Sequence, residues 1–216
     1  MRPKAFVTAI RALAFDNTFN PYSCRCPIYD RVDAPKRRAE ALLGLLDAAA
    51  SCEIDALWVG RDLGYRGGRR TGLALTDDFH IAAHASRWRV TIERATLGAP
   101  VAERTAAVIW RVLSQIDAPV FLWNVFPLHP HEGNDVFTNR SHNRMERAAG
   151  EEILRELIGL LRPRRLIAVG GDAARSLSRM ADKRELVQVR HPSYGGQAEF
   201  FDGVRALYSC RATTLL

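Results

Sequence analysis

The sequence predicts an α/β protein built around a parallel β-sheet, and three observations carry that reading. Four short apolar segments, at residues 55–60, 119–125, 165–170 and 185–190, alternate with helical patterns. Strands that alternate with helices imply βαβ units and hence parallel pairing. The segments are also apolar throughout rather than at every second residue, as expected of strands buried on both faces. Right-handed crossovers then bring every strand's C-terminal end to one edge, where such sheets bind their ligands.

The elements follow in order. Residues 4–15 read as a helix, and 16–32 as a long polar loop with two prolines. Asp33 is placed as an N-cap and Pro35 in the first turn of a helix over 36–51, whose apolar residues Ala39, Leu42, Leu43, Leu46 and Ala50 recur at helical spacing. The strand at 55–60 runs into a glycine-rich basic loop over 60–72. Helical patterns at about 77–88 and 101–116 lead to the second strand, and 126–144 is a long loop without periodicity. An amphipathic helix over 145–161 carries Ile153, Leu154, Leu157, Ile158 and Leu161 on one face. The third strand, a short helix, the fourth strand, a turn at 191–196 and a helix over about 197–210 complete the chain.

With 216 residues, 47% of them hydrophobic and 25% charged, residues 1–216 read as a single globular domain. That composition excludes disorder as the main state. No apolar run approaches the ~18 residues of a membrane span. Arg2 and Lys4 precede an apolar stretch, but Arg11 interrupts it and no small-residue cleavage site follows, so the reading is cytoplasmic rather than exported. Cys24, Cys26, Cys52 and Cys210 are few and irregular, as in a reducing compartment without a disulfide framework. The formal charge of +7 comes from 31 basic residues, only three of them lysine. Arginine is the better bidentate phosphate binder, so the balance favours a polyanionic partner, although codon bias alone can raise arginine.

Polar residues stand at the strand ends: Gly60-Arg61-Asp62, Asn124, Gly170-Gly171 and Arg190-His191-Pro192-Ser193. A carboxylate can stabilise a developing cation, an amide can read a planar base edge, and an imidazole can donate to a developing oxyanion. The set suits cleavage of a bond between a sugar and a heterocycle; the same residue types also suit a metal site or a hydrolytic triad.

These residues carry a family resemblance over most of the chain. Gly60-Arg61-Asp62-Leu63-Gly64 resembles the first motif of the uracil-DNA glycosylase superfamily, and Gly72-Leu73-Ala74-Leu75 falls where that family has a Gly-x-x-Phe segment. Phe121-Leu122-Trp123-Asn124 is similar to its base-reading strand, residues 163–174 to its prokaryotic branch, and His191-Pro192-Ser193 to its final motif. The resemblance implies a three-layer α/β/α sandwich around a four-stranded parallel sheet. It implies a monomeric enzyme that hydrolyses the N-glycosidic bond of uracil in DNA, initiating base excision repair after base flipping. No cofactor, metal or obligate protein partner is implied. Asp62 and His191 would be catalytic, with Arg61, Leu75 and Asn124 completing the uracil pocket. Arg66, Arg69, Arg70, Ser193 and Tyr194 would contact DNA, Tyr194 as the plug for the vacated base stack.

The departures sharpen the expectations. Leu63 replaces the motif's proline and loosens the turn that carries Asp62. Leu75 stands in place of a stacking phenylalanine, which leaves the ring open, with Phe79 a candidate. Gly64 occupies a position where some branches keep a thymine-excluding tyrosine, and Tyr65 comes one residue late. The cysteines lack the spacing of the prokaryotic iron–sulfur pattern. Other readings stay beside these: Asp62, Asn124 and His191 as turn or bracing residues, the three loop arginines as a solvated loop, Tyr194 as packing on the last helix, and His80 and His84 as a solvated helix face. Two alternatives from other classes remain. One is a DNA-binding protein without strong catalysis on this scaffold. The other is a nucleotide-binding protein or metal-dependent nuclease, with His129, His131 and Asp135 as ligands.

Overall fold

The computed structural model describes residues 1–209; Cys210 and the end of the last expected helix lie outside the described residues. In chain order the elements are α1 (Pro3–Arg11), β1 (Thr18–Phe19), α2 (Ala34–Ala50), β2 (Ala56–Gly60), α3 (Gly68–Thr71), α4 (Ile81–Trp88), α5 (Arg104–Leu113), β3 (Val120–Asn124), β4 (His129–Pro130), α6 (Arg144–Leu161), β5 (Arg165–Val169), α7 (Gly171–Leu177), β6 (Glu185–Val189) and α8 (Gln197–Ser209). The four long strands form one parallel sheet in the order β3-β2-β5-β6.

Strand pleating explains the layers. Leu57, Val59, Phe121, Trp123, Leu166 and Ala168 enter one core with α1, α2, α6 and α7, while Ala56, Trp58, Val120, Leu122, Ile167 and Val169 enter the other with α5 and α8. Successive residues thus face opposite sides, and both faces are covered, which is the expected three-layer sandwich. β6 departs from the expectation of full burial: only Val189 is buried, because this strand lies at the sheet's edge.

Several boundaries shift for local reasons. α1 stops at Arg11 because the buried Asn20 amide donates to the carbonyls of Ile10 (2.8 Å) and Leu13 (3.0 Å), ending the helix early. Asp33 holds the N-cap position but caps no amide; its carboxylate accepts instead from Arg37 Nε at 2.8 Å. The long loop at 16–32 pairs with the loop after β3 as the two-residue ribbon β1–β4. His80 and His84 are not a solvated face: His84 is buried against Trp110 and bonded to Thr76 Oγ1, and burial holds its pKa down near about 3.

The basic loop is likewise corrected. Arg69 and Arg70 are buried and form part of α3. Arg69 donates to Tyr29 Oη at 2.9 Å and lies 3.8 Å over the Phe19 ring; Arg70 pairs with Asp78 at 2.7 Å. Neither guanidinium is free for a phosphate. Beside them Arg38, 1% exposed, pairs with Asp30, 2% exposed, and donates from Nε to the Arg70 carbonyl at 2.7 Å. No helix among the described residues is long and apolar enough to cross a membrane.

From β2 the chain moves to β3 on one side, then returns to place β5 on the other. The crevice at such a reversal, outside the strands' carboxyl ends, is where open α/β sheets hold ligands.

Removing one partner of a buried pair strands the other charge, at about 3–5 kcal/mol. Arg38→Met is therefore expected to lower unfolding free energy in urea by that order, and Asp30→Asn in the same chain to recover part of it. A melt indistinguishable from the parent would show that Arg38 does not hold these loops.

Candidate active site

At that reversal lies a cavity of about 440 Å³ whose wall includes Arg61, Asp62, Leu75, Gly170, Asp172, His191 and Tyr194. A larger depression of about 750 Å³, at the opposite edge beside Arg164, Lys183 and Glu185, holds only charged residues of the sheet's N-terminal side.

Asp62 follows β2 directly. The turn lacks the motif's proline but is backed by the continuation of β3: Val125 N–H donates to the Gly60 carbonyl (2.9 Å), Phe126 N–H to that of Arg61 (3.0 Å), and Leu63 N–H to that of Leu128 (3.2 Å). Leu63 itself is buried, so packing and backbone bonds replace the constraint on φ. The Asp62 side chain, 5% exposed, accepts from Arg61 Nε at 2.6 Å on one oxygen and bonds His142 Nδ1 with the other. Arg61 reaches on to Asp172 at 3.4 Å.

His142 escaped the sequence reading. It immediately precedes Asn143, which caps α6 in a capping box with Glu146. Arg140 clamps the same Glu146 at 2.6 and 2.7 Å, and this fixes the segment that presents His142 to Asp62. The Asn143-x-x-Glu146 spacing was visible in the sequence and marks the helix start; no local signal pairs His142 with a residue 80 positions away.

His191 follows β6. Its Nδ1 accepts the backbone N–H of Ser193 at 3.2 Å and lies 2.7 Å from Ser193 Oγ. A nitrogen that accepts carries no proton, so Nε2–H is the ring's donor. Burial, then the positive Arg61 and Arg190, lower the pKa below the usual histidine value, against Asp172. His191 is thus a neutral imidazole with one free donor. Ser193 braces the ring through both its amide and its hydroxyl. The next residue, Tyr194, is 99% exposed in the left-handed region at φ 51°, so it does not pack on α8.

Asn124 ends β3 but is 1% exposed, with no hydrogen-bond partner for either amide atom among the described residues. A methyl on Gly60 would stand 2.5 Å from Asn124 Oδ1 and 3.2 Å from Leu75 Cδ2, so only glycine lets the amide and Leu75 close over this strand end. The buried amide is not part of the cavity wall, whereas Leu75 is. Leu75 holds φ 53°, a conformation costly for a branched side chain, and its carbonyl accepts from Trp110 Nε1 at 3.1 Å. An unpartnered buried amide costs about 1–3 kcal/mol. Strain and an unmet amide therefore meet at one point of the site.

Other expected residues lie elsewhere. Phe79 is 58% exposed and outside the cavity wall, so it does not replace the stacking ring. Arg66 is exposed, its Nε donating to Tyr65 Oη at 2.8 Å. His129 bonds Arg69 and the Thr138 carbonyl, and His131 the Gly133 carbonyl; among the described residues no group of three or more potential ligands gathers. Cys24 and Cys52 are exposed thiols and Cys26 is buried.

A family model described as the uracil DNA glycosylase superfamily matches residues 54–205. Among solved structures, the crystal structure of wild-type Pedobacter heparinus SMUG2 is similar with a TM-score of 0.65 and 14% identity, covering 99% of this chain and 99% of that one. At that identity the likeness is one of fold. No curated protein matches significantly.

The neutral tautomer of His191 can be checked without a substrate. Nitrogen-15 spectra at pH 7 are expected to show a protonated Nε2 and a bare Nδ1, with titration below the ordinary histidine range. A protonated Nδ1 at neutral pH would contradict the Ser193 brace.

Proposed function

The chain belongs to the uracil DNA glycosylase superfamily, and from that membership we propose that it excises uracil from DNA by hydrolysing the N-glycosidic bond. One observation supports this above the others. Asp62 and His191, from turns after different strands, line one cavity at the sheet's reversal, the first as a clamped carboxylate and the second as a neutral donor.

In this reading the bond from the sugar C1′ to uracil N1 breaks with its electron pair leaving on the base. Asp62 stabilises the positive charge on the sugar, and water adds at C1′, its released proton balancing the charge of the departed base. His191 Nε2–H donates to the departing base, whose negative charge strengthens that bond as it develops. Arg61 and His142 are positioning residues that keep the Asp62 carboxylate turned to its task. Asn124 reads the base only if Leu75 gives way, and the strained backbone at Leu75 marks where such a movement would occur. Extruding the base costs a few kcal/mol. Tyr194, exposed beside the cavity, would fill the vacated stack, and Arg66 remains for the phosphates.

The covered amide of Asn124 also favours a second reading, in which the chain binds DNA on this scaffold without excising a base. Incubation of the protein with a uracil-containing oligonucleotide, followed by alkaline cleavage, separates the two.

Asp62→Asn is expected to slow single-turnover release of uracil by about 10²–10⁴ with DNA binding retained. His142→Ala should lower kcat with little change in KM, and His142→Asn should restore part of the loss. A wild-type rate in Asp62→Asn removes the carboxylate from the mechanism.

Base–aromatic stacking is worth about 1–3 kcal/mol. Tyr194→Ala should therefore slow excision from duplex by about tenfold or more and leave single strands, which need no plug, nearly unaffected. Equal effects on both substrates would rule out the wedge.

A further inference from the structure

Glu103, immediately before α5, is a wall residue of the cavity that none of the motifs includes. Its backbone N–H donates to Asp77 Oδ2 at 2.7 Å, which ties it to the turn at 76–80. Its carboxyl lies against the loop after Asp62. A Cβ at Gly64 would come within 2.3 Å of Oε1, and one at Gly67 within 2.1 Å of Oε2. The carboxyl therefore occupies the space that side chains at both positions would need. Among the described residues no hydrogen bond or ion pair engages it.

Glu103 is half-buried, and a carboxyl drawn partly out of water without a cation is costly in its ionised form. Burial, then the neighbouring Asp77 carboxylate, push its pKa up to about 7. The charged and titratable groups around it make that balance. Arg104 follows on its own element, and Asp77 is itself bonded to His80 Nδ1 at 2.6 Å. Arg61, Asp62, Arg140, Asp172, Arg190 and His191 share the cavity wall from other segments. Arg61 and Arg140 are taken up by Asp62 and Glu146, and among the described residues no ion pair joins Glu103 to Arg190. Its acid form offers an O–H donor and a C=O acceptor side by side at the cavity wall.

We propose that Glu103 is a specificity-determining contact to the extruded base, its carboxylic O–H donating to a carbonyl oxygen on the base's edge. The inference rests on reading this cavity as the base pocket. A donor at a ring carbonyl binds the neutral base and holds it more strongly as the departing ring becomes anionic. The ionised carboxylate can only accept, and it repels both the carbonyl and the forming anion. Below pH 7 the acid form is present and contributes; as pH rises through about 7 it is lost. Glutamine has nearly the same shape and keeps a donor at every pH.

The experiment is single-turnover release of uracil from a uracil-containing duplex between pH 5.5 and 9, for the parent chain, Glu103→Gln and Glu103→Leu. The parent rate is expected to decline above pH 7. Glu103→Gln should remove that decline and exceed the parent at pH 9. Glu103→Leu should be slower by about 10² at pH 6, as for loss of one oxyanion donor. If Glu103→Leu does not fold, the Gln profile alone decides. A Gln variant that keeps the parent's decline, or is slowed equally at every pH, overturns the proposal while the glycosylase reading stands. A parent chain without activity at any pH overturns both.

Discussion

A guanidinium taken out of water must meet a carboxylate or a set of carbonyls, and much of this molecule is arranged around that requirement. Arg38 and Asp30 satisfy each other in the interior, and Arg38 also holds the carbonyl of Arg70. Arg70 is in turn bound to Asp78, whose other oxygen accepts from Thr96 Oγ1. Charges buried in this way enforce geometry because breaking any contact leaves an uncompensated ion. The chain of contacts joins the loop at 16–32, the one-turn helix α3 and the turn at 76–80. Those are the segments that bring Leu75 and Glu103 to the cavity.

The candidate site draws on two different supports. Asp62 and His191 stand at the ends of sheet strands, so the parallel register locates them. Their chemical state depends instead on neighbours from loops: Arg61 and His142 orient the carboxylate, and the Ser193 amide sets the imidazole's tautomer. A short distance along the wall the support is incomplete. Asn124 is buried without a partner, Leu75 holds a positive φ close by, and Glu103 lies against two glycines with no cation paired. An unmet buried amide is costly, and this one ends the strand beside the cavity.

The arginines show how composition misleads at the level of single residues. The excess of basic residues reads as an external electrostatic footprint, and Arg66 does lie at the surface. Arg69 and Arg70, from the same glycine-rich stretch, are consumed by Tyr29, His129, Phe19 and Asp78. Their partners come from segments distant in sequence, so nothing local separates them from Arg66. His84 is a similar case: the helical spacing is correct, but Trp110 on another helix decides which face is buried.

By itself the sequence determined the class of fold, the four parallel strands and the polar residues at their carboxyl ends. Those features follow from apolar runs of strand length separated by helical periodicity, which are local and strong. The amphipathic pattern likewise placed α6 within a residue of its start, which an Asn143-x-x-Glu146 capping box fixes. What only the tertiary structure decided is which polar groups meet. The pairing of His142 with Asp62, the meeting of Leu75 and Asn124 at Gly60 and the place of Glu103 beside Gly64 and Gly67 all join segments far apart in the chain. Local propensity carries no information about such contacts, because they are selected by burial and by the need of each buried polar atom for a partner.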